Sequence, residues 1–78
     1  MDSSFKGAFS KIGESLLQKH IQDLLTQLEK SPDDGELLFK LGVAYVRTGN
    51  VSKAREIYKK LREINTSLAK ELMEIIYS

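Results

Sequence analysis

Apolar residues recur at intervals of three and four along nearly the whole 78-residue chain. That spacing gathers them on one side of a helix, whereas a half-buried strand would alternate with period two. The longest stripe is Ile12, Leu16, Leu17, Ile21, Leu24, Leu25 and Leu28, and it predicts a helix from about Glu14 to Lys30. Phe5 and Phe9 extend the stripe toward the N-terminus, although Gly7 and Gly13 each weaken a helix by about 1 kcal/mol relative to alanine. The stripe stops at Ser31-Pro32-Asp33-Asp34-Gly35. A proline turns the residue before it away from the α conformation and suits the first turn of a new helix, so Pro32 is expected to end one helix and begin the next. Asp33 and Asp34 favour the positive end of that second helix.

The second stripe, Leu37, Leu38, Leu41, Ala44 and Tyr45, runs to Thr48-Gly49-Asn50. There glycine can take the left-handed conformation past a helix end and Asn50 can cap the next helix. A third helix, with Ala54, Ile57, Tyr58 and Leu61 inward, ends near Asn65. Thr66 or Ser67 is expected to cap a fourth that carries Leu68, Leu72, Ile75 and Ile76. The expected fold is all-α.

A chain this short makes one domain and buries little, so it depends on close helix packing or on association. It has no cysteine and a single histidine, His20, which removes disulfide, zinc-finger and cysteine-nucleophile chemistry. His20 has no neighbouring ligand set. Ser3, Ser4, Ser10 and Ser15 lack the context of an activated nucleophile, and Asp33-Asp34 reads as a helix start. No enzyme, no metal and no cofactor is expected. Twelve basic residues against eleven acidic ones, with the signs interspersed, argue against nucleic-acid binding. Lys53, Arg55, Lys59, Lys60 and Arg62, interrupted by Glu56 and Glu63, read as a solvated helix face, with a contact surface for an acidic partner as the alternative. No apolar run of about 18 residues and no secretory signal is visible, which gives a cytoplasmic location by default.

Leu38, Leu41-Gly42, Tyr45, Ala54 and Tyr58 follow the order and spacing of the 34-residue tetratricopeptide repeat, whose pattern opens on a large residue, Leu-Gly and Tyr and continues with Ala and an aromatic. The segment from Gly35 to Leu68 resembles one such repeat. It departs from the pattern at Leu38, where Trp is usual, at Leu61, where a small residue is common, and at Thr66, where the closing proline would stand. The resemblance implies antiparallel helical hairpins stacked as a short right-handed superhelix. Residues 1–31 would be a degenerate N-terminal unit, half a repeat or a full one, residues 32–65 the helix pair, and residues 66–78 a C-terminal capping helix. Gly42 and Ala54 would let the two helices of the pair approach closely.

The resemblance also implies a concave groove lined by the first helix of each hairpin, here Glu36, Phe39, Val43, Val46 and Arg47. Relatives that clamp a carboxylate tail use Lys and Asn where this chain has Phe39 and Val43, which argues against that activity. Phe5, Phe9 and Ile12 on one side and Met73 and Tyr77 on the other would extend the apolar face, as groove or as a homodimer surface. The function implied is capture of a protein or peptide partner, adaptor-like or chaperone-like. A homodimeric assembly module, or a small secretion-chaperone type of repeat protein, is the second reading. The third is a membrane-surface helix built on Phe5, Phe9, Ile12 and Leu16 with Lys6, Lys11 and Lys19.

Overall fold

The computed structural model describes the backbone of residues 3–78 and the side chains of residues 15–78. Four helices follow one another: α1 (Ser3–Lys30), α2 (Gly35–Arg47), α3 (Val51–Ile64) and α4 (Thr66–Ile76). No strand occurs among the described residues, so the fold is all-α as the apolar spacing requires. Of the two N-terminal alternatives, half a repeat or a full one, the structure has no internal hairpin: α1 is a single unbroken helix of 28 residues. Nothing in the stretch from Glu14 to Leu17 offers the glycine or proline that a turn needs.

Each later helix boundary has a local cause. Pro32 does not open α2, as the sequence had suggested. It lies in a turn closed by the Asp34 amide donating to the Ser31 carbonyl at 3.2 Å, and Asp34 is the N-cap. The Asp34 carboxylate accepts from the amides of Glu36 at 3.0 Å and Leu37 at 3.2 Å, satisfying two donors that have no partner inside the helix. An Asp34→Ala variant is expected to lose about 1 kcal/mol of stability, a fall of about 4–8 °C in melting temperature for a domain of this size. Thermal denaturation checks this, with Asp33→Ala, whose side chain caps nothing, as the unchanged control.

The α2–α3 turn follows the reading of Gly49. Its φ is +81°, and its amide donates to the Val46 carbonyl at 3.0 Å while that of Asn50 donates to Tyr45 at 2.8 Å. This pair of bonds ends α2 and needs a left-handed residue, which glycine supplies without strain. Asn50 then caps α3 through its side chain. At the next boundary Asn65, not Thr66 or Ser67, is the cap. Its extended backbone (φ −151°, ψ 98°) ends α3, and its side chain accepts from the Leu68 amide at 3.1 Å. One residue closes one helix and opens another.

The centre of the molecule is α2, which packs on α1, α3 and α4, while α3 and α4 also pair with each other. Two apolar clusters result. Ile21 and Leu24 of α1 meet Leu41 and Ala44 of α2, and Leu38 of α2 meets Leu61 of α3 and Ala69 and Leu72 of α4. Ile57 and Leu28 pack against both clusters and join them. No polar or charged side chain is buried among the described residues, so packing alone holds the layers together.

The sequence had placed Gly42 at the approach of α2 and α3. A Cβ at Gly42 would instead meet Leu72 of α4, with Cδ2 at 2.6 Å and Cδ1 at 2.9 Å. The missing side chain therefore seats α4 on α2, one hairpin on the next. Ala54, fully buried in α3, remains a small residue inside the hairpin.

Candidate protein-binding groove

Because α1 and α2 are joined by only a short turn, they lie side by side as an antiparallel pair, and the furrow between them is open on one face. Its cavity has a volume of about 340 Å³ and is lined by Leu17 and His20 of α1 and by Phe39, Lys40, Val43, Ala44 and Arg47 of α2. Phe39, Val43 and Arg47 are spaced by four, and Ala44 stands three residues before Arg47, so they fall on one face of α2. The floor is apolar. Among the described residues of the lining the ionisable ones are Lys40 and Arg47, both exposed, with the imidazole of His20 beside them.

The sequence-derived groove set divides here. Phe39, Val43 and Arg47 come together in the furrow, while Glu36, exposed, and Val46, half-buried, are outside its lining. Met73 and Tyr77 stand apart on α4 and just beyond it, 39% and 66% exposed. The side chains of Phe5, Phe9 and Ile12 lie outside the described residues. Leu17, His20, Lys40 and Ala44 were not expected in the site. For His20 a signal existed: it stands 34 residues before Ala54, where a small residue would let a preceding helix pack closely. A histidine there marks a position at which α1 carries no tightly packed partner.

The basic stretch of α3 has a structural account. Lys53 Nζ stands 5.6 Å from the ring centroid of Tyr45, and the guanidinium groups of Arg55 and Arg62 stand 5.6 Å and 5.9 Å from those of Tyr77 and Tyr58. Cations over aromatic faces contribute about 0.5–1 kcal/mol each at exposed sites. Three of the five basic side chains are thus engaged with tyrosines of this chain. Arg55 ties α3 to the end of α4.

Among the described residues no group of three His, Cys, Asp or Glu is placed to hold a metal ion. No described helix is long and apolar enough to cross a membrane. A groove with an apolar floor and charged rim can desolvate the apolar side of a helix or peptide while the rim fixes its orientation.

Comparison with known proteins bears on what that groove serves. The family model of the tetratricopeptide repeat matches residues 21–74, which takes in the C-terminal part of α1, all of α2 and α3 and most of α4. No curated protein and no solved structure matches the chain. The matched residues include the Leu41-Gly42, Tyr45, Ala54 and Tyr58 positions that set the packing of the hairpins. The chain therefore belongs to the tetratricopeptide repeat family, a family of protein–protein interaction modules.

Proposed function

We propose that this protein is an adaptor-like or chaperone-like module that holds an amphipathic helix of a protein partner in the groove between α1 and α2. The observation that carries this reading is the lining itself: Leu17, Phe39, Val43 and Ala44 form an apolar floor, and Lys40, Arg47 and His20 edge it. Exposed apolar furrows of this kind are covered in the working state of soluble proteins. Docking a few hundred Å² of apolar surface contributes several kcal/mol before the costs of association. The basic rim favours an occupant with carboxylates flanking its apolar stripe.

A designed 14-residue helical peptide with leucines on one face and glutamates at its flanks tests the reading. It should bind the chain, as read by fluorescence anisotropy, and the same peptide with lysine flanks should bind at least tenfold more weakly. Phe39→Glu should abolish capture of the acidic-flanked peptide with the helical circular-dichroism signal retained. Phe39 is partly buried against the α2–α4 cluster, so Arg47→Glu, at an exposed rim position, supplies a second variant that leaves the core intact. Equal binding by wild type and both variants would sink the reading.

A further inference from the structure

Lys40 and Arg47 stand seven residues apart on α2, which separates them by about 10 Å along the helix axis and by only about 20° around it. Both are exposed and both line the furrow. Phe39 and Val43 line it beside them, so this wall carries two cations at a spacing fixed by the helix, next to an apolar strip. The basic residues of α3 are placed differently. Lys53, Arg55 and Arg62 stand over the rings of Tyr45, Tyr77 and Tyr58, and among the described residues Lys40 and Arg47 do not share that arrangement.

Glu36 bounds the pair. It is exposed, four residues before Lys40 and outside the furrow lining, on the same face of α2. Along that face the charges therefore run negative, positive, positive. On the opposite wall Leu16 is 65% exposed and stands four residues before His20, so an apolar side chain continues the α1 side next to the cavity.

Resting on the reading of the furrow as a helix-binding site, we infer that it selects its occupant by charge register: the partner helix carries two carboxylates seven residues apart along one edge of its apolar stripe, one for Lys40 and one for Arg47. A helix lying along α2 rises by the same length per residue, so the matching separation on the occupant is also seven. A separation of five fails, because the second carboxylate is then about 140° around the occupant from the first. A third carboxylate one turn beyond the partner of Lys40 meets Glu36 and is repelled. The stripe itself packs on Leu17, Phe39 and Val43 and reaches Leu16 on the α1 side.

Peptide binding to the intact 78-residue chain, read by fluorescence anisotropy, tests the register. Two helical peptides share one composition and one leucine stripe. The first has glutamates at positions i and i+7 and a glutamine at i+5, and the second exchanges that glutamine with the later glutamate. The i, i+7 peptide should bind about three- to fivefold tighter at about 0.05 M salt, the upper range for one exposed ion pair. The difference should shrink at about 0.5 M, where surface charges are screened. Crossed rescue then locates both contacts. Changing either glutamate of the i, i+7 peptide to lysine gives two more peptides, of which one should bind Lys40→Glu and the other Arg47→Glu at least threefold tighter than the unchanged peptide does. Both substitutions are at exposed positions outside the buried clusters. Equal binding of the two register peptides overturns the inference, as does rescue of both variants by one peptide or of neither variant by any. Binding of those peptides by the wild type then still leaves the groove reading standing. If no acidic-flanked peptide binds, both readings fall.

Discussion

Leu61→Ala is expected to cost 2–5 kcal/mol, the usual range for emptying a fully buried leucine site. The total stability available to a 78-residue domain is about 4–12 kcal/mol. Leu61 has no exposed surface and lies in the cluster that includes Leu38 of α2 and Ala69 and Leu72 of α4. The site cannot readily collapse. Ala69 has already brought α4 close to α3, and Leu72 is held against Gly42. At about 4–8 °C per kcal/mol for a domain of this length, the melting temperature should fall by about 8–40 °C. Calorimetry or a far-ultraviolet melt measures it, with Leu16→Ala as the comparison. Leu16 is 65% exposed, and its replacement should change stability by no more than about 0.5 kcal/mol. Equal losses at the two positions would show that Leu61 does not hold the hairpin to α4.

The resemblance to a repeat marks position 61 as one where a small residue is common, and the structure shows where the extra volume goes. It fills the space between the hairpin and α4 in the cluster that holds the small Ala69 together with Leu38 and Leu72. Volume is conserved across the contact instead of at a single position.

The sequence showed the helices because the apolar spacing of Leu37, Leu38, Leu41, Ala44 and Tyr45, and that of Ala54, Ile57, Tyr58 and Leu61, is a local property that survives without knowledge of neighbours. The turn at Gly49 was legible for the same reason: a single residue type answers the need for a left-handed backbone. Boundaries with competing solutions were less so. Asn65, Thr66 and Ser67 are all good caps, and the choice of Asn65 follows from a link so short that one residue serves both α3 and α4. At Pro32 the proline signal pointed to a helix start, and the two hydrogen bonds to Asp34 displaced that start to Gly35. The length of α1 could not be read from the glycines alone. Gly7 and Gly13 weaken the helix without ending it, and α1 runs unbroken from Ser3 to Lys30.

The groove was half visible. Phe39, Val43 and Arg47 recur at every fourth position of α2, so one of them cannot line a surface without bringing the others toward it. What faces them is a tertiary fact. Leu17 belongs to the long stripe of α1, but the choice of which part of that stripe is buried and which lines the furrow depends on how α1 crosses α2. Ile21 and Leu24 are buried, Leu17 only partly, and Leu16 remains in solvent. The basic character of the rim was hidden for the same reason. Lys40 and His20 are 20 residues apart in the chain, and only the antiparallel packing of α1 on α2 puts them on one furrow.

Replacing Gly42 by leucine should detach α4 from the rest of the molecule. Even one added carbon would stand 2.6 Å and 2.9 Å from the two terminal carbons of Leu72, closer than van der Waals contact allows. The end of a leucine can often swing aside. Here it cannot do so freely, because Leu72 is fully buried among Leu38, Leu61 and Ala69. For Gly42→Ala two effects oppose. Overpacking costs about 1–3 kcal/mol, and alanine stabilises the interior of α2 by about 1 kcal/mol relative to glycine, so a net loss of about 1 kcal/mol is expected. For Gly42→Leu the propensity gain is similar and the added volume far larger, so α4 must leave its seat. An isolated helix of 11 residues is too short to persist in water. Hydrogen exchange should therefore show the amides of Ala69 to Ile76 losing protection while those of Ile21 to Leu28 and Leu41 to Tyr45 keep theirs. The buried cluster of α1 and α2 does not include Leu72. If the whole chain loses protection together, the two clusters form one cooperative unit and α4 is part of the fold's minimum. If α4 stays protected, the contact between Gly42 and Leu72 does not set the distance between the hairpin and its neighbour.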